Sequence, residues 1–212
     1  MTKQIYRKFD KDKLNSLPKA EASGRIITII TEGEAERAVN FLLAQNILGI
    51  DTETRPAFKR GAAYKVALLQ VACEKICFLF RLNIIGLTPA IIRLLEDTSV
   101  PKVGLSLHDD ILMLSKRKTF NPGSFYDLQK HVKEIGIEDL ALQKIYANLF
   151  GKKISKAQRL SNWEAPILSD AQKKYGAFDA WSCLAIYQEI NRLKQTHDYE
   201  LVEVEAEAGN ND

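Results

Sequence analysis

An apolar run that ends in acid constrains this chain more than any other feature. Ile47 to Ile50, within "QNILGIDTET", has the apolar density of a strand covered on both faces, and it runs straight into Asp51, Thr52 and Glu53. Such a strand must lie inside a sheet with further layers over it, and the neighbouring segments supply them. "GRIITII" predicts a strand over residues 25–31, "KVALLQVA" and "KICFLFRL" predict two more around a turn near Glu74 and Lys75, and "KVGLSL" predicts a short one. Thr31 with Glu34 forms a capping-box pattern opening the helix "EAERAVNFLLAQ", and Thr88 followed by Pro89 opens "TPAIIRLLED". "DDILMLSKR" reads as helix, as does everything after residue 124 through "FYDLQKHV", "EDLALQKIYANLFG" and "SDAQKKYGAFDAWSCLAIYQEI". Strands with interleaved helices followed by helices alone predict an α/β fold, a mixed β-sheet flanked by α-helices. The first twenty or so residues and the C-terminal tail are expected to fray.

Composition narrows the function classes. With 212 residues and 46% hydrophobic content, the chain fits one sizeable domain without requiring a second. No apolar stretch approaches the roughly 20 residues that cross a bilayer, and "MTKQIYRKFDKDKLNS" lacks the apolar centre of a secretory signal. Cys73, Cys77 and Cys183 are odd in number and sit in apolar segments, which predicts reduced, buried thiols and a cytoplasmic protein. Net charge is +3, but the last thirteen residues hold five acids and no base, so the chain before them carries +8. Its bases cluster at Lys59, Arg60 and Lys65, at Lys116 to Lys118, at Lys152, Lys153, Lys156 and Arg159, and at Lys173 and Lys174. Such runs are ordinarily solvated faces; several on one side would attract a polyanion such as nucleic acid.

Three acidic groups stand out. Strand alternation places Asp51 and Glu53 on one side and Thr52 on the other. Two adjacent carboxylates repel unless a cation lies between them or one keeps a proton. All-oxygen ligands at a strand end suit magnesium, manganese or calcium better than zinc. "HDD" puts Asp109 and Asp110 at a strand-to-helix junction, where the helix dipole alone would favour acids. "YGAFD" puts Tyr175 and Asp179 four apart, facing one way, on a helix opened by Ser169 with Gln172. Taken singly, each has an ordinary reading: a solvated strand end, a charged first turn, a tyrosine bonded to a neighbouring acid.

Taken in order, Asp-x-Glu on a strand, Asp after a later strand and Tyr-x-x-x-Asp on a late helix resemble the RNase D-like 3′→5′ exonucleases of the DEDDy type, with a ribonuclease H-like fold. The resemblance runs from residue 25 to about 192, through "ILGIDTE", "VALLQVA", "VGLSLHDD" and "RLSNWEAPILSDAQKKYGAFDAWSCLAIY". It divides the chain into an N-terminal extension (1–24), an exonuclease domain (25–195) and an acidic tail (196–212). In the family pattern the metal-binding aspartate stands six positions after the glycine of the second motif. From Gly104 that count selects Asp110, not Asp109.

The resemblance implies metal-dependent hydrolysis of the terminal phosphodiester at a 3′ end, releasing nucleoside monophosphates. Two divalent ions, Mg2+ or Mn2+, would be held by Asp51, Glu53, Asp110 and Asp179, with Asp51 bridging both and Tyr175 orienting the attacking water. Thr52 and Phe58 would meet the terminal nucleotide, Phe58 by stacking, although Phe58 can equally close its loop onto the core. The partner is nucleic acid with a free 3′ end, DNA or RNA, single-stranded; no membrane is involved, and the sequence does not address oligomeric state. "SNW" is expected to position the loop before the Tyr175 helix, with Trp163 as a packing anchor. Two other readings stay open: a nucleic-acid-binding module of the same fold without catalysis, and a phosphodiesterase for small nucleotides.

Overall fold

Residues 2–21, 23–58 and 63–203 are described by a computed structural model. The elements follow the order β1 (Lys3–Tyr6), α1 (Lys11–Ser16), β2 (Arg25–Ile29), α2 (Glu32–Leu42), β3 (Leu48–Thr54), β4 (Val66–Ala72), β5 (Ile76–Arg81), α3 (Leu82–Ile85), α4 (Pro89–Glu96), β6 (Lys102–Gly104), α5 (Leu107–Ser115), β7 (Phe125–Asp127), α6 (Leu128–His131), a 3-10 turn (Val132–Ile135), α7 (Leu142–Phe150), α8 (Asp170–Thr196) and β8 (Tyr199–Val202). Six strands form one mixed sheet in the order β2-β5-β4-β3-β6-β7. β3 and β5 run antiparallel to β4, whereas β2 pairs with β5, and β6 with β3 and β7, in parallel.

Both faces of this sheet are covered, as the apolar run before Asp51 requires. Every residue of β4 is buried, and alternate side chains serve different layers. Leu69 and Val71 pack with Ala35, Val39 and Leu42 of α2 and Ile91 and Leu94 of α4. Leu68 and Ala72 pack on the other face with Ala177 and Ala180 of α8 and with Trp163. On β3, Ile50 joins the α2 and α4 side, while Gly49 faces α8. A Cβ at Gly49 would sit 2.0 Å from the carbonyl oxygen of Ala180, so glycine lets helix and strand backbones meet two residues before Asp51. That contact fixes the height of α8 over the strand end.

The capping boxes at Thr31 and Ser169 and the Thr88 cap with Pro89 are all present. Two expectations are corrected. The chain after residue 124 is not helical throughout: Phe125–Asp127 pairs in parallel with Lys102–Gly104, and β8 lies near the C-terminal end. Asp127 ends the strand and caps α6 by accepting from the Gln129 N–H, so the helical spacing of "FYDLQKHV" begins only at Leu128. Nor do the N-terminal residues fray. β1 pairs in parallel with β8, and Ile5 is fully buried in a second core with Leu128, Val132, Ile145, Leu149, Ile186 and Ile190. Within the tail, residues 196–212, Tyr199–Val202 do not fray but form β8, while residues from 204 onward lie outside the described residues. Among those described, no helix is long and apolar enough to cross a membrane.

Candidate active site

The acids of β3 and α8 meet where β3 leaves the sheet. Asp51 and Glu53 have the same parity as Gly49 and therefore point toward α8. Tyr175 and Asp179 stand one helical turn apart on α8, whose start is clamped to the preceding loop. There the Gln172 amide donates to Ser161 Oγ and the Asn162 carbonyl, each at 3.2 Å, while its Oε1 accepts the Ser169 N–H at 3.0 Å. "SNW" thus holds the helix N-terminus in place, and Trp163 is fully buried beside Tyr175 with ring centroids 6.0 Å apart.

One carboxylate oxygen each from Asp51, Glu53 and Asp179 lies within 4.8 Å of the others. Asp110 is not one of this trio but lies within electrostatic reach of Asp51 and Glu53. It points inward from α5 while Asp109 is exposed, and its Oδ1 accepts the Thr52 hydroxyl. The turn before α5 is held by Asp127, whose carboxylate accepts the N–H groups of Ser106 and Leu107, both at 3.1 Å, with Ser106 in the left-handed region at φ 58°.

Burial raises every one of these acids, and repulsion within the group adds to it at Asp51 and Glu53. Asp51 is pushed well above the usual carboxylate range by burial first, then by Asp179, Asp110 and Glu53. Glu53 is pushed up to about 9 by burial and by Asp179 and Asp110, with Arg159 opposing. Burial lifts Asp110 to about 6 against the Thr52 hydroxyl, and lifts Asp179 against the Tyr175 hydroxyl. Tyr175 itself is raised by burial and by the three acids around it. Asp179 is buried and the other three carboxyls are partly buried. Among the described residues none of the four is in a salt bridge, and Arg159 acts on Glu53 only from beyond that range, which is an unfinished charge arrangement. Oxygen donors this close suit a hard divalent cation.

The remaining candidates fall in different places. Phe58 is 81% exposed, so the alternative in which it closes the loop onto the core is excluded. Lys59 and Arg60 lie outside the described residues, and Lys65 is exposed. Arg55 reaches Glu164 at 3.4 Å and lies over the Tyr64 ring, tying the loop after β3 to the loop before α8. Sequence reasoning gave no separate role to Arg159, which falls in the electrostatic reach of Glu53, nor to Asp127. It also passed over Gln70, which stands in direct register with Asp51 on β4. A lone amide in the apolar run "VALLQVA" is the signal that could have found it.

The sequence model of the 3′–5′ exonuclease family matches residues 26–194. The chain belongs to this family. It is 36% identical over 150 residues to the Exonuclease 3′-5′ domain-containing protein 2 of Drosophila melanogaster, covering 69% of this chain and 25% of that protein. It is 31% identical over 157 residues to the bifunctional 3′-5′ exonuclease/ATP-dependent helicase WRN of Mus musculus, covering 71% of this chain and 11% of that protein. The match thus spans a quarter or less of either relative's length. Among solved structures, the Nibbler EXO domain of Aedes aegypti superposes with a TM-score of 0.77 at 21% identity, over 85% of this chain and 95% of that one. An RNase D of Trypanosoma brucei, solved in complex with RNA U12, superposes at 0.67 and 18% identity over 84% and 64% of the two chains. The fold is the ribonuclease H-like mixed sheet of these exonuclease domains.

Proposed function

We propose that this chain hydrolyses the terminal phosphodiester of single-stranded nucleic acid at a free 3′ end, releasing nucleoside monophosphates. The observation that carries this reading is the meeting of Asp51, Glu53 and Asp179 oxygens within 4.8 Å, in a chain of the 3′–5′ exonuclease family. In this reading Asp51, Glu53 and Asp179 would hold one Mg2+ or Mn2+, and Asp51 with Asp110 would hold a second. Bound there, the ions would lower the pKa of the attacking water and neutralise charge on the departing oxygen. Tyr175 aims its hydroxyl at that water and orients it; with its pKa raised, the phenol stays protonated and acts by positioning. Water oxygen joins the phosphorus, the bond to the 3′ oxygen breaks, and a proton ends on that oxygen. The main chain at Thr52 lies against the terminal sugar, while Phe58, projecting into solvent, stacks on the terminal base. The buried free thiols of Cys73, Cys77 and Cys183 support a reducing, cytoplasmic setting.

The test is an end-labelled comparison of matched DNA and RNA strands with Mg2+ or Mn2+, with Asp51→Ala as control. Stepwise release of mononucleotides from the 3′ end by the wild type, and its loss in the control, is expected. Binding without release would reassign the chain as a non-catalytic nucleic-acid-binding module. Equal turnover of dinucleotides and longer strands would indicate a small-nucleotide phosphodiesterase.

A further inference from the structure

Between β4 and α8 lies an amide with nothing to bond. Gln70 is fully buried, and neither its Nε2 nor its Oε1 has a hydrogen-bond partner among the described residues. It is the direct cross-strand partner of Asp51, so both side chains leave the sheet on one face, with Cβ atoms about 4.5–5.5 Å apart. α8 covers Gln70 with Gly176, where a Cβ would stand 3.0 Å from Nε2 and 3.4 Å from Cγ.

Neither choice serves packing. A buried amide without a partner is destabilising, and an apolar side chain of equal length would remove that cost. Glycine inside a helix forfeits the stability that alanine supplies. The chain accepts both at the turn of α8 bounded by Tyr175 and Asp179. The donors around the carboxylates point the same way. Asp110 accepts the Thr52 hydroxyl, whereas among the described residues no side-chain donor bonds Asp51, on which the neighbouring Thr52 main-chain N–H alone acts as a donor. A carboxylate offers about four acceptor sites, which leaves Asp51 under-supplied beside an idle donor.

We infer that Gln70 is a positioning residue for Asp51: in the cation-loaded enzyme its Nε2 donates to the Asp51 carboxylate and fixes which oxygen faces the ions. An amide suits the task because it donates without bringing a positive charge to compete with the ions, as lysine or arginine would. Gly176 is the accommodation in α8 that makes room for it. The inference rests on the metal-centre reading of the site.

Two measurements test it. Isotopic labelling of glutamine side-chain nitrogens, with Gln70→Met identifying the signal, follows the Gln70 amide during a Mg2+ titration. The amide is expected to shift and to exchange more slowly with solvent as Mg2+ saturates; an unmoved amide overturns the inference. In kinetics, Gln70→Met should keep a metal-free Tm at or above that of the wild type while kcat falls by about 10–100-fold. KM for an oligonucleotide should stay within about twofold. Wild-type kcat, or a fall in activity matched by a fall in Tm, overturns it. If Gln70→Met does not fold, the amide titration of the wild type, assigned through the backbone, decides. Wild-type protein inactive on every oligonucleotide would refute the exonuclease reading, and the titration would still judge Gln70.

Discussion

Two acid-rich regions of this molecule behave in opposite ways. At the end of β3, Asp51, Glu53, Asp110 and Asp179 crowd together and are all raised in pKa. Near the β1 and β8 termini, Glu189 is lowered to about 2 because Arg192 bonds both its oxygens at 2.8 Å and Lys3 joins them. Glu138 and Glu134 are lowered there too, by Arg7 and Lys194. The protein thus places salt-bridging cations on the acids that hold the termini together and, among the described residues, none on the acids at the end of β3, where Arg159 acts on Glu53 only from a distance. The first arrangement serves stability. The second keeps a site open to a cation from solution, and folding bears the cost.

Asp51→Asn should break the contrast most. Exonuclease activity is expected to fall on the order of 10³-fold, because in the proposed centre Asp51 would serve both ions. The metal-free Tm should instead rise by about 2–4 °C as repulsion is relieved. A Tm that falls in step with activity, in a melt without divalent ions, would make Asp51 an ordinary structural acid. Next comes the register of the second motif: Asp110→Asn should lower kcat by at least about 10–100-fold, and Asp109→Asn should change it less than about twofold. The reverse ranking in parallel rate measurements would move the ligand to Asp109.

The pH dependence of stability sharpens the same comparison. A carboxyl raised in the folded state holds its proton more tightly there than in the unfolded chain. Its penalty is absent below the unfolded value of about 4, grows as pH rises, and is complete above about 9 for Glu53. Metal-free protein should therefore lose stability between pH 5 and 9, by roughly 5 °C or more, and saturating Mg2+ should flatten that slope. A melting series showing no slope without metal would contradict the strained site. The smallest effect belongs to the termini. Glu189 is depressed, so its contribution is present above about pH 4 and fades as pH falls toward about 2. Glu189→Gln should cost about 1 kcal/mol at neutral pH and leave kcat unchanged; altered kcat at saturating substrate would show the two regions to be coupled.

How much of this was legible in the sequence depended on the range of the interaction. Asp51 with Glu53, and Tyr175 with Asp179, follow from strand and helix periods, which are local. Their convergence was readable only through the order of three motifs. β7 and the β1–β8 pair were not legible. Three or four residues carry too little pattern to tell strand from helix, and Lys3 pairs with Tyr199 almost the length of the chain away. Asp127 was hidden for the same reason, since its role depends on a strand that ends at it. Gln70 looks like any polar interruption in "VALLQVA" until α8 is laid over it and the glycine above it is seen.

The strand-end acids are proposed to be a metal centre in which no side chain among the described residues salt-bridges the carboxylates. Anomalous scattering from crystals soaked in Mn2+ tests it most directly. One peak among Asp51, Glu53 and Asp179 and a second beside Asp51 and Asp110 is the predicted result. Fully occupied crystals with no peak at these residues, or with manganese bound only elsewhere, would contradict it.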